Sequence, residues 1–346
     1  MRGSRSVGRD LRHLGALNRV VRTLHGHRED AERGLGLDFH ACQIGGGAPH
    51  IKRNRRHMDT WATVERMLPY TLMGVVNVTP DSFSDGGAFE DHVAAIAHAR
   101  RLASEGASII DVGGESTRPG ADPVPPNEEL ERTIPVVEGI AGLRLPIQIS
   151  IDTMKLDVAE AAIDAGASYV NDVSAFRHEP ELASLVADRG VDCCLMHMLG
   201  EPRTMQQDPQ YVDVVDDVKA FLYERLTAAT DAGIKEERIQ LDPGIGFGKT
   251  LEHNLELLRR LEELTTLGRP LVIGTSRKSF LGRITGRDVT ERVHATVATS
   301  VIAFERGARV FRVHDVAATL DALQVAAATF GRWPAIPTRT STTKTT

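Results

Sequence analysis

Polar side chains suited to binding stand where short apolar runs of this sequence end. Asp152, Asn171 and Asp242 each close such a run. Carboxylate and amide groups in a narrow site are costly to desolvate without partners. We therefore expect these three residues to bind a flat heterocycle whose amino, imino and amide edges pair with them. The alternative is that each one only caps the helix that follows its strand.

A second group of oxygen atoms follows the first apolar run, Leu72–Val76. Asn77 closes this run, and Asp81 and Asp85 lie in the polar loop after it. Amide and carboxylate oxygens are ligands for a hard cation such as Mg²⁺. Taken alone, the same pattern is more typical of an Asx turn with solvated aspartates.

Cationic residues stand at another run end. Arg312 and His314 are two residues apart on a predicted strand, so both side chains point to one face. Facing Asn77 across a closed barrel, they would form a clamp for phosphate or pyrophosphate. A lone His on a strand is more often structural. The glycine-rich segment 113–120 could wrap an anion, or it could be a surface turn.

Two loops near the carboxyl end carry further candidates. Residues 242–250 look like a phosphate loop, but Pro243 occupies the position where a Walker pattern needs glycine. Phe247 in this loop could lie over a ring or simply plug the core. Lys278 could bridge a heterocycle's carbonyl or ring nitrogen. Ser279 and free N–H groups at a helix start would receive a carboxylate.

These residues need a scaffold that brings strand ends together. The chain contains eight short apolar segments, each closing on polar or glycine residues, and helical segments rich in Ala, Leu and Glu lie between them. This alternation favours a (β/α)8 barrel, a TIM barrel, over an open doubly wound sheet. The helices are expected at Asp91–Glu105, Asn127–Gly139, Leu156–Ala165, Pro180–Asp188, Tyr211–Ala232, Leu251–Leu264, Thr290–Glu305 and Ala317–Thr329.

Composition is compatible with one large barrel. The chain has 346 residues, 41% hydrophobic and 25% charged, which is enough to bury a full-size core. No apolar run approaches the roughly 18 residues of a membrane span. The three cysteines form no disulfide framework, and the adjacent Cys193 and Cys194 should point to opposite faces of a strand. Reduced thiols in a cytoplasmic protein are therefore expected.

The two ends of the chain differ from its centre. Residues 1–60 carry 12 Lys and Arg against 6 Asp and Glu, whereas the rest carry 29 against 41. We expect a basic, disordered extension over 1–60, dispensable or upstream of a functional start near Met58, with the barrel over 68–332 and a disordered tail over 333–346. The extension lacks aromatic interleaving, so no nucleic-acid partner is expected. A protein-interaction role for it remains open.

With these residues in view, the sequence resembles the dihydropteroate synthases. The resemblance runs from about Leu72 to Leu323 and rests on several motifs in order: MGVVNVTPDSFSDGG, DVGGESTRPGA, ISIDTMK, VNDVSAF, LDPGIGFGK, TSRKSFLG and RVHDV. It implies condensation of (7,8-dihydropterin-6-yl)methyl diphosphate with 4-aminobenzoate. It also implies Mg²⁺ dependence and usually a homodimer. No membrane partner is expected, because no apolar run is long enough to span a membrane. Both flanks are too short for another enzyme domain, so we expect a monofunctional enzyme.

The resemblance implies a role for each residue. Asn77 would bind Mg²⁺ and, with Thr117, Arg312 and His314, the diphosphate. The pterin would contact Asp152, Asn171, Met196, Asp242, Phe247, Gly274 and Lys278. The 4-aminobenzoate would contact Phe83, Thr117, Arg118, Pro119 and Ser279, with Phe83, Asp85, Arg118 and Pro119 on mobile loops. The expected catalytic residues are Asp85, Lys278, Arg312 and His314.

These roles suit a dissociative substitution. Diphosphate leaves once its charge is neutralised, and the dihydropterin delocalises a methylene cation that Asp85 would stabilise. In this scheme Asn77 is the metal contact, and Asp81 and Asp85 are no longer the preferred ligands. A pterin-binding methyltransferase would keep the pterin pocket without a diphosphate clamp. A noncatalytic paralogue would have lost motif residues, and none is lost here.

Overall fold

The computed structural model of the protein describes residues 69–79, 88–118 and 120–332, and of residues 88–90 only the helical backbone. Eight parallel strands form its centre. They are β1 Thr71–Asn77, β2 Ile109–Gly113, β3 Gln148–Asp152, β4 Tyr169–Asp172, β5 Asp192–Met196, β6 Ile239–Asp242, β7 Val272–Ile273 and β8 Val310–Val313.

Nine α-helices surround these strands in the described part of the chain. They are α1 Ala88–Ser104, α2 Pro126–Gly142, α3 Leu156–Ala165, α4 Glu181–Arg189, α5 Val214–Asp231, α6 Leu251–Arg259, α7 Ser279–Thr285, α8 Val293–Glu305 and α9 Val316–Thr329. Seven of them agree with the expected helices to within three residues at each end. The expected helix Leu251–Leu264 ends earlier, at Arg259, and Leu261–Leu267 continues as a 3₁₀ segment. The short helix α7 was not expected.

The sheet closes on itself. The strands are ordered β6-β5-β4-β3-β2-β1-β8-β7, and a parallel bridge between Leu241 and Leu271 joins the two ends. This closure, with a helix after each strand, confirms the expected (β/α)8 TIM barrel. Because all strands run the same way, their carboxyl ends meet at one rim, where loops 1 to 8, numbered after the preceding strand, begin.

The barrel packs in two layers because strand side chains alternate in direction. Met73, Ile109, Tyr169 and Cys194 belong to a cluster that fills the interior. Cys193 instead belongs to the larger core between strands and helices, so the two adjacent thiols do point to opposite faces, and both are free.

Glycine allows close packing and ends helices at particular positions of the barrel. Gly74 on β1 lies against α1, and a Cβ there would be 3.1 Å from the Leu102 side chain. Gly166 and Gly190 follow α3 and α4 with φ of 120° and 61°, conformations that favour glycine. Both helices therefore end at a residue that needs no Cβ.

Several expectations concern residues outside the described part. The basic extension over 1–60, the tail over 333–346, and the loop residues Phe83, Asp85 and Pro119 all fall there. Among the residues that are described, no helix has the length and apolar character to cross a membrane.

Candidate active site

Three of the predicted residues share one level of the barrel rim. Backbone pairing places Asn77 beside Gly113, Gly113 beside Asp152, and Asp152 beside Asn171. On each strand these positions have the same parity as the interior residues Met73, Ile109 and Tyr169. The strands therefore direct the Asn77, Asp152 and Asn171 side chains to the barrel interior.

A buried carboxylate that the sequence reasoning missed lies beneath this level. Asp111 on β2 is fully buried and accepts hydrogen bonds from Ser150 Oγ at 2.5 Å and Asn171 Nδ2 at 3.1 Å. It also accepts from Arg312 Nε at 2.6 Å. Asp111 stands inside the apolar run of its strand, two residues before the end. It orients both Asn171 and Arg312.

Arg312 joins Asp111 to the rim. Its Nη2 donates to Asp152 Oδ2 at 2.6 Å, so one guanidinium holds two carboxylates. Burial opposes the charge of Arg312, but Asp111 and Asp152 outweigh burial and hold the pKa of Arg312 above its usual value. The predicted phosphate-binding arginine is thus paired with the predicted heterocycle-binding carboxylate.

Asp152 is poised between its two protonation states. Burial raises the pKa of Asp152 to about 7, Arg312 opposes that shift, and the nearby Asp111 and Glu129 add to it. A carboxyl group with this pKa is half ionised near neutral pH. Its readiness to accept hydrogen bonds therefore depends on pH.

Asp242 and Lys278 occupy the opposite part of the rim. Asp242 is buried and its Oδ1 accepts from the Gly244 backbone N–H at 2.7 Å. Burial raises the pKa of Asp242, with Lys278 opposing. Burial lowers the pKa of Lys278 to about 8, with Asp242 opposing. Burial thus works against the charge of both the Asp242 carboxylate and the Lys278 amine, and each of the two groups partly offsets that effect on the other.

Lys278 also carries an aromatic neighbour. Its Nζ lies 4.5 Å from the centre of the Phe247 ring and donates to the Ile245 carbonyl. A Cβ on Gly274 would be 3.9 Å from Lys278 Nζ and 3.9 Å from Arg312 Cβ. Gly274 therefore lies between the two cations, where an added Cβ would make only ordinary van der Waals contacts.

Sulfur and aromatic side chains form one wall. Met196 and Phe247, both predicted, pack in a cluster with Val173 and with three methionines that the sequence reasoning did not single out, Met154, Met198 and Met205. Methionine is flexible and polarizable, so such a wall adapts to the face of a planar ligand. The half-buried Phe247 is a wall residue rather than a core plug.

His314 differs in charge from the expected cationic pair. Its Nδ1 lies 2.9 Å from Ser276 Oγ, which also accepts from the His314 backbone N–H at 3.1 Å. Burial lowers the pKa of His314 to about 4, and Arg312 and Arg277 add to that effect. His314 is consequently neutral at pH 7, and Arg312 alone carries the positive charge of the pair.

Loop 2 is anchored by charges that the sequence did not reveal. The Lys155 amine donates to Glu115 of this loop and to the fully buried Glu129 of α2. Thr117 is half-buried and Arg118 is exposed on the same loop. Loop 2 thus has a fixed base beneath an exposed tip.

Ser279 begins α7 and is exposed, with Lys278 in the N-cap position before it. Arg277, with φ of 58°, precedes them and pairs with Asp315 at 2.6 Å. That ion pair ties loop 7 to loop 8. It sets Lys278 toward the cavity and Ser279 toward solvent at its edge.

Fold and site together define a TIM-barrel enzyme with a buried group of Asp and Asn side chains bordered by cations. Residues 73–314 match the family described as pterin binding enzyme. The chain is 46% identical over 258 residues to the dihydropteroate synthase of Escherichia coli K12, which covers 75% of this chain and 91% of that protein. The chain belongs to the dihydropteroate synthase family, pterin-binding transferases of folate biosynthesis.

Solved structures agree. A Xanthomonas albilineans dihydropteroate synthase with 4-aminobenzoic acid superposes with a TM-score of 0.71 at 49% identity, covering 78% of this chain and 94% of that one. The same organism's enzyme in complex with 7,8-dihydropteroate gives a TM-score of 0.69 at 46% identity, with coverage of 78% and 95%. The family resemblance found in the motifs is thereby confirmed.

Proposed function

We propose that this site condenses (7,8-dihydropterin-6-yl)methyl diphosphate with 4-aminobenzoate, giving 7,8-dihydropteroate and diphosphate. The observation that carries the proposal is the linked set of Asp111, Asp152, Asn171 and Arg312 facing Asp242 and Lys278. Buried carboxylates in one cavity need donors from a ligand. A pterin edge offers amino and imino N–H groups in a plane.

The pterin ring lies in the pocket between the two halves of the rim. Its N–H groups donate to Asp152 and Asp242, while Asn171 and Lys278 donate to its ring nitrogen and carbonyl acceptors. Met196 and Phe247 cover its faces. The support is that Asp242 already uses Oδ1 for Gly244, and no hydrogen bond within the described residues uses Oδ2.

The diphosphate lies above Arg312. When the pterin N–H groups donate hydrogen bonds to Asp152, Arg312 Nη2 leaves that carboxylate and binds the diphosphate instead. Asn77, Thr117 and His314 line the same side, and neutral His314 donates a hydrogen bond or takes up a proton from solvent as charge accumulates. Substrate binding thus converts an internal ion pair into a substrate contact.

Mg²⁺ fits this arrangement only together with the substrate. Among the described residues, no group of three or more His, Cys, Asp and Glu side chains is placed to hold a metal ion. Asn77 offers a neutral amide oxygen, and Mg²⁺ commonly takes its other ligands from phosphate oxygens and water. Bound there, the ion would neutralise charge on the diphosphate.

The reaction proceeds by dissociative substitution. The bond between the pterin methylene carbon and the diphosphate oxygen breaks, and its electron pair leaves with the diphosphate. The 4-aminobenzoate nitrogen then forms the new C–N bond and loses a proton. We assign Asp85 to electrostatic stabilisation of the cation, and Phe83, Thr117, Arg118, Pro119 and Ser279 to the 4-aminobenzoate. Excluding water protects the cation from hydrolysis.

The assembled enzyme is proposed to be a cytoplasmic homodimer. An apolar groove between α8 and α9 supports the dimer, since Val301, Ala322, Val325 and Phe330 line it and Val325 is 67% exposed. The free thiols of Cys193 and Cys194 suit a reducing compartment. Sedimentation of the wild type and Val325→Glu tests this: the variant should be monomeric, and an unchanged mass would exclude that face.

The activity is tested by diphosphate release from the pterin diphosphate with Mg²⁺, with and without 4-aminobenzoate. Release should depend on both substrates, and dihydropteroate should form in equal amount. If no product forms that depends on 4-aminobenzoate, the proposal is wrong. Omission of Mg²⁺ should slow release.

A further inference from the structure

The loop after β6, residues 244–250, is held by side chains along four consecutive carbonyl groups. Each carbonyl accepts from a different side chain: Ile245 from Lys278, Gly246 from Gln206, Phe247 from Lys249 and Gly248 from Tyr211. Loop carbonyls normally point to water. A loop fixed at every step has a conformation that is set by its surroundings.

Lys249 is the unusual member of this set. It is 3% exposed, and its Nζ lies 3.0 Å from the Phe247 carbonyl and 2.8 Å from His197 Nδ1. No ion pair joins it to a carboxylate of the described residues. The loop resembles a phosphate loop in sequence, but this amine lies beneath the loop and cannot reach a phosphate in solvent.

The surroundings of Lys249 disfavour its charge. Burial lowers the pKa of Lys249 well below its ordinary value, with Asp242 opposing. Burial also keeps His197 neutral by lowering its pKa. The Lys249 amine donates to the Phe247 carbonyl and lies within hydrogen-bond distance of His197 Nδ1. Because a buried amine is costly without hydrogen-bond partners, these two contacts fix its position.

His197 is a rigid support for this amine. Its ring is buried and packs edge-on against Phe221 with centroids 4.8 Å apart. Its backbone N–H donates to the Asp242 carbonyl at 2.9 Å. The loop also lies close to this strand end, because a Cβ on Gly244 would be 1.8 Å from the His197 carbonyl oxygen. Lys249 therefore links the end of β5 to the loop.

The residue that this link positions is Phe247. Its N–H donates to the Gly244 carbonyl at 3.0 Å, and its carbonyl accepts from Lys249, so both sides of its backbone are fixed. Its ring then meets Lys278 and the Met196 cluster. Loss of the Lys249 amine would free the carbonyl and let the ring move.

We propose that Lys249 is a positioning residue of the pterin pocket, which holds the Phe247 ring in place from beneath the loop through its bond to the Phe247 carbonyl. The inference rests on the proposed function, because it assumes that Phe247 covers a pterin face.

The test measures pterin affinity and substrate dependence in the full chain. Lys249→Met keeps the apolar stem and removes both donors. We expect the dissociation constant of 6-hydroxymethyl-7,8-dihydropterin to rise about tenfold, the scale of one buried hydrogen bond left unmade. The KM for 4-aminobenzoate should stay unchanged. Equal rises for both substrates, or none for the pterin, would overturn the inference.

A double-mutant cycle separates positioning from general destabilisation. If Lys249 acts through Phe247, Lys249→Met should add little in a Phe247→Ala background. Additive losses would contradict the proposal. Arg225→Met is the matched control, because Arg225 Nε donates to the Ala175 carbonyl of loop 4 at 2.9 Å, away from the pocket. It should lower the melting temperature without changing pterin affinity.

Two further outcomes are distinguishable. If Lys249→Met does not fold, Lys249→Gln keeps one donor and should give an intermediate loss of pterin affinity that is again coupled to Phe247. If this variant binds the pterin with wild-type affinity although its amide is shown to be out of reach of the Phe247 carbonyl, the inference is wrong. If the wild type itself does not bind the pterin, the proposed function fails first.

Discussion

Arg312 donates from Nη2 to Asp152 Oδ2 at 2.6 Å across the barrel mouth. The cation assigned to the diphosphate is therefore bonded to the carboxylate assigned to the pterin. The two halves of one substrate meet these two groups, so the substrate has to replace the ion pair with two contacts of its own. This exchange ties binding of the ring to binding of the diphosphate.

Pterin affinity should rise with pH through about 7. Asp152, whose raised pKa is about 7, accepts stronger, charge-assisted hydrogen bonds from the pterin N–H groups when it is ionised. Its ionised fraction grows about tenfold between pH 6 and pH 8, so the affinity should improve by about that factor. Titration calorimetry with 6-hydroxymethyl-7,8-dihydropterin measures it. In Asp152→Asn the pH dependence should disappear, and a persistent slope would assign it to another group.

The same group affects folding. An Asp whose pKa is raised in the folded state binds its proton more tightly there than in the unfolded chain. Its ionisation therefore costs stability as pH rises from about 4 to 7, and Asp152→Asn should lose less stability over that range. Urea unfolding at several pH values provides the comparison.

Lys278 limits the pterin affinity at high pH. Its pKa is lowered to about 8, so it loses its charge above that pH and donates less strongly to a pterin acceptor. Pterin affinity should fall again above pH 8, and Lys278→Ala should weaken binding about tenfold or more. Lys219→Ala on α5 is the control for loss of a lysine charge and should leave the dissociation constant of the pterin unchanged.

Arg312→Met should affect both stability and diphosphate binding. It leaves Asp111 and Asp152 without their cation, at a cost of about 3 kcal/mol in the free energy of unfolding. Affinity for the pterin diphosphate should fall much more than affinity for the pterin alone. Adding Asp111→Asn should restore part of the stability without restoring diphosphate binding. Recovery of both would mean that Arg312 does not touch the diphosphate.

Loop 2 offers a test on the second substrate. Lys155→Met leaves Glu115 and the fully buried Glu129 without their shared cation, which loosens the base of the loop that carries Thr117 and Arg118. The KM for 4-aminobenzoate should rise more than the KM for the pterin diphosphate. Arg189→Met, which breaks an exposed ion pair with Asp164, is the control and should change neither. A selective rise in the KM for the pterin diphosphate would contradict the role of Lys155 in holding loop 2.

The basic extension is expected to be dispensable. Deletion of residues 1–60 should leave turnover within about twofold of the value for the full chain. The reason is that the first residue along the chain with a proposed role in the pocket is Asn77. Turnover per active site and oligomeric mass are the measurements. A large loss of activity would show that the extension contributes to the enzyme.

The sequence was sufficient for the barrel and for the side chains at strand ends. Strand parity and the period of the helices are local signals, and they place Asn77, Asp152 and Asn171 on one level. Asp111 was missed because it stands within the apolar run of its strand, where nothing local separates it from structural residues. Its partner Arg312 is 201 positions away along the chain.

The charge states of buried side chains could not be predicted from the local sequence pattern either. The pair Arg312 and His314 suggests two cations, but burial lowers the pKa of His314 to about 4, and burial is a property of the folded chain. Lys155 and Lys249 are similar cases, because only the fold brings Glu129 to the first and His197 to the second.

The exchange of the ion pair for substrate contacts is tested most directly by a crystal structure of the full chain with bound dihydropterin diphosphate. The pterin edge should lie within hydrogen-bond distance of Asp152, Asn171 and Asp242. Arg312 should contact the diphosphate, with its Nη2 bond to Asp152 broken. A pterin bound elsewhere, or Arg312 still bonded to Asp152 with substrate in place, would contradict the proposed binding mode.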